Sequence, residues 1–143
     1  MKQFLLTPAM GKRLIAKALA HHPTVEEVLA GGTLVIVAGT TNGYVAEEIL
    51  AALGAGAGFS RMGFRRGLTA GPGFDVSGVQ APLAGDVVIH NRKARWDQTI
   101  FDVAEDLGSN DLILKGANAV NLADRQAAVY IGHPQAGTAL AAI

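Results

Sequence analysis

The stretch TLVIVAGTTNGYVAEEILAAL, residues 33–53, decides the expected fold. It begins with an uninterrupted run of β-branched and apolar residues, 33–38, which is typical of a strand buried on both faces. A polar, glycine-containing loop, 39–43, follows at once. Behind this loop, apolar residues recur at helical spacing and define one face of a helix: Val45, Ile49, Ala52 and Leu53. The stretch therefore predicts a central strand, a loop and a helix in direct succession.

Helix signals are also present on both sides of this stretch. Thr7-Pro8 is an N-cap followed by a proline at the first helical position, and it predicts a helix over about 8–20. Thr24 and Glu27 form a capping-box pattern that opens a second, short helix. Asp97 is expected to cap a later helix that ends at Gly108.

Three further apolar runs predict strands: 86–90, 112–115 and 128–131. Each strand is too far from the next one for a hairpin, and helical segments lie between them. This alternation implies right-handed βαβ units and a parallel sheet covered by helices. The expected fold class is therefore α/β, a three-layer Rossmann-like domain with a mainly parallel sheet.

The composition indicates a single folded α/β domain over residues 1–143. Half of the residues are hydrophobic and only 17% are charged, which excludes intrinsic disorder. Twelve basic residues balance twelve acidic ones, so nothing indicates a nucleic-acid surface. No apolar run is long enough to span a bilayer, and there is no cysteine, so we expect a cytoplasmic protein without a membrane partner. The apolar stretch 136–143 stops without a cap, which suggests a fragment or a compact variant of a longer chain.

The loop between the central strand and its helix has the features of an anion site. Its glycines allow a ligand to approach the backbone, and the helix N-terminus offers unpaired N–H groups and the positive end of a dipole. The loop matches neither the phosphate loop of ATPases nor the dinucleotide fingerprint. The alternative is a tight turn in which Thr41 or Asn42 caps the helix. The candidate ligand residues here are Gly39, Thr40, Thr41, Asn42 and Gly43.

A second polar loop, KGANAVN at 115–121, follows a predicted strand. Ligands of open α/β sheets bind at the carboxyl ends of the strands, so we expect this loop to lie at the same edge as the first. Lys115 is a candidate for a phosphate or carboxylate contact, and Gly116, Asn118 and Asn121 are candidate ligand residues. The alternative is a turn stabilised by the asparagines.

Together, residues 33–53 and 115–121 resemble the superfamily of ribose-5-phosphate isomerase, glucosamine-6-phosphate deaminase, CoA transferases and the effector domains of DeoR-type repressors. The resemblance implies that the segment Gly39–Asn42 holds a phosphate and that the segment Gly116–Asn118 faces a sugar. Where the isomerases have aspartates, this chain has Asn118 and Asn121, and an amide cannot act as a general base. The resemblance therefore supports ligand binding more than isomerase or deaminase chemistry.

Few other residues offer chemistry. The segment 59–73 carries Arg61, Arg65 and Arg66. They form an anion clamp with Arg65 as the ligand contact, a solvated surface, or ion pairs with Glu47 and Glu48 of a neighbouring copy. His133 and Glu47 are the only candidates for a general base. No His or carboxylate spacing predicts a metal site, and no cofactor is expected.

The favoured function is binding of a small phosphorylated or carboxylated metabolite, a sugar phosphate above all, at this edge of the sheet. One alternative is a sugar-phosphate isomerase or a transferase. Another is a structural or assembly module that binds no ligand. We expect a homo-oligomer, with a dimer covering an exposed sheet edge as the simplest form.

Overall fold

The computed structural model of the protein describes residues 2–66 and 85–143. The helices are α1 (Pro8–Ala20), α2 (Pro23–Gly31), α3 (Thr40–Ala52), α4 (Ile100–Val103) and α5 (Thr138–Ala141), and a 3₁₀ turn spans Ala104–Asp106. The strands are β1 (Thr33–Ile36), β2 (Val87–His90), β3 (Lys93–Arg95), β4 (Leu112–Leu114), β5 (Ala119–Asn121) and β6 (Gln126–Ala128). Residues 67–73 of the predicted arginine loop lie outside the described residues.

The main sheet has the strand order β3-β2-β1-β4, and it is mixed. Strand β1 pairs in parallel with β4, with Leu34 opposite Leu112, but it is antiparallel to β2, which is antiparallel to β3. The prediction of a three-layer Rossmann-like domain with a mainly parallel sheet is therefore wrong. The reason is that an apolar run such as that of β2 fits a buried strand in either direction.

Two hairpins account for the strands that the sequence placed wrongly. Asn91 and Arg92 have positive φ of 48° and 63°, as a two-residue turn requires, and they join β2 directly to β3. Strands β5 and β6 form a separate antiparallel pair, so the strand predicted at 128–131 does not belong to the main sheet. Every residue of β5 and β6 is exposed, which is why no buried apolar run marks this hairpin.

The first helices begin close to their predicted caps. The Thr7 side chain accepts a hydrogen bond from the Met10 N–H at 3.3 Å, as predicted for the start of α1. Helix α2 is capped by His22 rather than by Thr24, because the His22 ring accepts a hydrogen bond from the Thr24 N–H. Helix α4 is a single turn capped by Thr99, not the longer helix predicted from Asp97. The neighbouring caps compete for the same N–H groups, and the sequence alone does not decide between them.

The alternating side chains of the sheet pack on both faces. On one face, Leu34, Ile36 and Ile89 join a buried core with residues of α1, α2 and α3. On the other face, Val35, Val37 and Val88 pack against Ile100 and Val103 of the α4 segment. The central strand is thus buried on both sides, as its uninterrupted apolar run predicts.

Within residues 2–66 and 85–143, no helix has the length and apolar character needed to cross a membrane.

Candidate functional site

The two polar loops leave the same edge of the sheet. The Val37 N–H donates a hydrogen bond to the Leu114 carbonyl at 3.0 Å, which continues the parallel pairing of β1 and β4 to their carboxyl ends. Segment 39–43 starts beside the end of β1, and Lys115 directly follows β4. The parallel pair therefore brings the beginnings of both loops together.

Asn42 fastens α3 to this edge. Its Nδ2 atom donates hydrogen bonds to the carbonyl of Val37 at 2.7 Å and to the carbonyl of Leu114 at 2.8 Å. The residue is only 5% exposed, and its amide is a second donor to the Leu114 carbonyl, which also accepts the Val37 N–H. Among the predicted ligand residues, Asn42 thus has a role in holding both strand ends and the first turn of α3 together.

The N-terminus of α3 carries an excess of positive character. Gly39 is the N-cap, no side chain caps the helix, and there is no acidic residue in its first turn. The first N–H groups of a helix have no partners within the helix and carry the positive end of its dipole. The Lys12 ammonium nevertheless lies here and donates a hydrogen bond to the Thr40 hydroxyl at 2.9 Å. Lys12 is a site residue that the sequence analysis missed, because only the packing of α1 on α3 brings it here.

The other predicted residues of this turn have different surroundings. In the part of the chain that the structure describes, the Thr41 hydroxyl and the Lys115 ammonium make no hydrogen bond, so both are available to a ligand. A Cβ atom at Gly43 would lie 3.0 Å from the Cβ atom of Arg61. Gly43 therefore allows the arginine segment to approach the first turn of α3 closely.

An ion-pair network covers the following turn of α3. Arg13 binds the carboxylates of Glu47 and Glu48, and its contact with Glu48 is 2.7 Å. Arg61 Nε lies 3.5 Å from the Glu47 carboxylate, and both guanidinium groups stack on the Tyr44 ring. The hydrogen bond with Glu47, supported by Glu48, raises the pKa of Arg13 against the opposing effect of burial. Glu47, a predicted candidate base, is therefore committed to two arginines.

Asp86, at the start of the predicted strand 86–90, is a central residue that the sequence did not single out. Its side chain is fully buried and accepts hydrogen bonds from the N–H groups of Ala38, at 2.8 Å, and Ile100, at 2.9 Å. Arg66 completes the set with two further hydrogen bonds. Burial alone would raise the pKa of Asp86, but the hydrogen bonds from Arg66, Ile100 and Ala38 outweigh it and hold the pKa below the ordinary value.

The remaining residues of the second loop belong largely to the β5–β6 hairpin. Asn118 accepts a hydrogen bond from the Tyr130 N–H at 2.8 Å, and Asn121 accepts two from the turn that follows it. Both asparagines thus stabilise the hairpin, as the turn alternative predicts. Gly116 is exposed before the hairpin.

The last two candidates lie elsewhere on the surface. His133 is exposed, and its ring accepts a hydrogen bond from the Gln135 N–H at 3.1 Å. Arg65 is half-buried in the arginine segment. Among residues 2–66 and 85–143, no three His, Asp or Glu side chains come together as metal ligands.

Comparisons of the chain with protein-family models, with curated proteins and with solved structures found no significant match. The resemblance to the isomerase and CoA-transferase superfamily therefore rests on the two sequence segments alone.

Proposed function

We propose that the protein binds a small phosphorylated or carboxylated metabolite at the N-terminus of α3. The observation that carries this proposal is the Lys12 ammonium, held 2.9 Å from the Thr40 hydroxyl where the helix dipole already presents positive charge. A cation at this end of a helix is unfavourable by itself, and no acidic side chain in the first turn of α3 offsets it. A bound anion removes this repulsion and accepts hydrogen bonds from the free N–H groups of the first turn.

Each residue of the edge has a definite role in this proposal. The N–H groups of Thr40 and Thr41 and the Thr41 hydroxyl donate to the anion, and Lys12 supplies a full charge. Lys115, which directly follows β4, contributes a second positive charge in this proposal. Asn42 keeps the turn rigid through its two strand carbonyls. The resemblance of the two loop segments favours a sugar phosphate as the ligand class.

Binding without turnover is the favoured form of this function. A general base needs a free carboxylate or imidazole within reach of the ligand. Glu47 is paired with Arg13 and Arg61, and His133 is an exposed residue beyond the β5–β6 hairpin. We therefore propose a metabolite-binding protein before an isomerase or a transferase, and a cytoplasmic location, where phosphorylated metabolites are held.

The test is ligand binding by three variants of the purified protein. Wild type is screened by thermal shift against ribose 5-phosphate and inorganic phosphate, because a ligand at 100 times its Kd adds about 2.7 kcal/mol. We expect Lys12→Gln and Thr41→Val each to weaken binding by about tenfold, or ~1.4 kcal/mol. Lys17→Gln is the matched control, since Lys17 is an exposed lysine on the same helix. Equal affinity of wild type and Lys12→Gln, or no binding of either anion, contradicts the proposal.

A second candidate function, assembly of copies of this chain, is favoured by the β5–β6 hairpin. Val120, Leu122 and Tyr130 are 63%, 85% and 72% exposed, and a two-stranded hairpin alone is marginally stable in water. We propose that a second copy covers these side chains in a homodimer. Light scattering after size-exclusion chromatography should then show a dimer for wild type and a monomer for Leu122→Lys. A wild-type protein that is monomeric at high concentration contradicts this.

A further inference from the structure

A cavity of about 430 Å³ lies between segment 58–64 and the connection from β3 to α4. None of the residues of the proposed anion site at the start of α3 lines it. Its volume falls within the range of about 300–1,000 Å³ that is usual for small-molecule sites. The cavity is therefore a separate feature, and its volume suits a small-molecule ligand.

Three aromatic rings form the apolar wall of this cavity. Phe59 and Phe64 meet edge to face, with ring centroids 5.3 Å apart and planes at 73°. Trp96 stacks near Phe59, with centroids 6.3 Å apart and planes at 27°. Phe64 is buried and fixes this group to the core, whereas Trp96 is 54% exposed. An exposed indole on a rigid aromatic base is a surface on which a flat ring can stack.

The polar rim of the cavity contains two side chains that are free to bind. In the part of the chain that the structure describes, Asp97 and Gln98 make no side-chain hydrogen bond. The other polar residues of the lining are already occupied. Asp86 accepts four hydrogen bonds, and the Thr99 hydroxyl donates to Asp102 at 2.6 Å. Among residues 2–66 and 85–143, the available groups of the lining are thus one carboxylate acceptor and one amide with a donor and an acceptor.

We propose that this cavity binds a flat heteroaromatic ring that carries N–H donors, of the kind found in a purine base. The aromatic wall accepts the face of such a ring, and stacking on aromatic side chains is the usual way that proteins hold bases. A glutamine amide can both donate to and accept from adjacent positions on the edge of adenine. The Asp97 carboxylate favours a ring that presents donors over one that presents only acceptors. This site is independent of the proposed anion site.

The single tryptophan of the chain makes the test direct, because Trp96 is the only indole that can report binding. Titration of the full chain with adenosine is expected to quench this fluorescence in a saturable way, whereas ribose 5-phosphate, which has no aromatic ring to stack, leaves it unchanged. Phe59→Leu and Gln98→Ala should each raise the Kd for adenosine by about fivefold or more. Phe101→Leu is the control, since Phe101 is as exposed as Trp96 and lies outside the cavity lining.

Calorimetry measures the Kd of Trp96→Phe for adenosine without relying on tryptophan fluorescence. Phenylalanine retains a stacking surface, so this variant is expected to bind adenosine with a Kd close to that of wild type. Circular dichroism of each variant verifies that it is folded. The proposal is overturned if adenosine does not quench the wild-type fluorescence in a saturable way. It is also overturned if the folded Phe59→Leu and Gln98→Ala variants bind adenosine with the same Kd as wild type.

Discussion

Arg66 donates two hydrogen bonds to the carboxylate of Asp86, from Nε to Oδ1 at 2.9 Å and from Nη2 to Oδ2 at 2.8 Å. The same carboxylate accepts hydrogen bonds from the N–H groups of Ala38, after β1, and Ile100, at the start of α4. One buried side chain therefore joins the end of β1, the start of β2, the start of α4 and the arginine segment. Such a bidentate, charge-assisted pair is among the stronger side-chain interactions in proteins.

Replacement of this carboxylate should be costly. Asp86→Asn leaves the Arg66 charge without its partner and presents an amide donor to groups that are all donors. We expect the free energy of unfolding to fall by about 2–4 kcal/mol, because the fully buried carboxylate loses its charge-assisted hydrogen bonds and the amide places a donor against donors. Urea denaturation measures this loss. Asp106→Asn, at an exposed position, is the control, and equal loss in both variants would contradict the central role of Asp86.

The stability of the protein should also depend on acid through Asp86. Its pKa in the folded protein lies below the ordinary value, since hydrogen bonds from Arg66, Ile100 and Ala38 outweigh the effect of burial. The carboxylate therefore contributes stability above the unfolded pKa of about 4, and this contribution is lost as the pH falls through the folded pKa. Urea midpoints from pH 7 down to about pH 2 should fall more steeply for wild type than for Asp86→Asn. Parallel curves would argue against this linkage.

A single-atom change at Asn42 should reverse that pH behaviour. Asn42→Asp replaces the amide donor by a carboxylate that faces the carbonyls of Val37 and Leu114. We expect a loss of about 2–4 kcal/mol at neutral pH, from the two lost hydrogen bonds and from repulsion between the new carboxylate and the carbonyl oxygens. This arrangement raises the pKa of the new carboxyl group, so the difference from wild type should shrink as the pH falls and the group protonates.

Thermal or urea unfolding of Asn42→Asp at two pH values measures both effects. Asn110→Asp is the control, because Asn110 is exposed and its side chain makes no hydrogen bond in the part of the chain that the structure describes. A penalty for Asn42→Asp that stays constant or grows with acid would refute the proposed hydrogen-bond geometry.

Two adjacent glycines should respond in opposite ways to alanine. A Cβ atom at Gly32 would collide with the carbonyl oxygen of Asn110, so Gly32→Ala should lower the free energy of unfolding by about 1–3 kcal/mol. At Gly31, the last residue of α2, a Cβ atom meets nothing within 4 Å. Gly31→Ala should therefore be neutral or stabilising by up to about 1 kcal/mol. Chemical denaturation of both variants measures these changes. If the two glycines were needed for backbone flexibility and not for the close contact of Gly32 with Asn110, both variants would be destabilised.

The elements that the sequence predicts well are those whose signals are local. Thr7-Pro8 marks the start of α1, and the run 33–38 followed by Gly39 marks β1 and the start of α3. Strand direction has no such signal, because the residues of β2 would bury equally well in a parallel strand. Strand β3 escaped prediction because its Lys93-Ala94-Arg95 sequence is that of a charged edge strand.

The sequence predicts the loop segment of the candidate site, but not the side-chain contacts around it. The glycine and threonine loop is visible in the sequence, but Lys12 reaches it through the packing of α1 on α3. Asp86 precedes an apolar strand, as many turn residues do, and nothing local indicates that Arg66 will bind it. Asn42 looks like a ligand contact in the sequence, and only the parallel pairing of β1 with β4 shows which carbonyls its amide holds.

The pairing of β1 with β4 also determines the order in which the chain can assemble. Leu34 pairs with Leu112, a residue more than half the chain away, so closing this loop costs about 1 kcal/mol more in entropy than forming the shorter-range contacts of α1, α2 and α3. We expect β4 to dock late, which leaves one side of β1 as an open, apolar edge until then. Asn42 can complete its second hydrogen bond, to Leu114, only at that step. We therefore expect the Asn42 amide to complete its contacts at the start of α3 only late in folding.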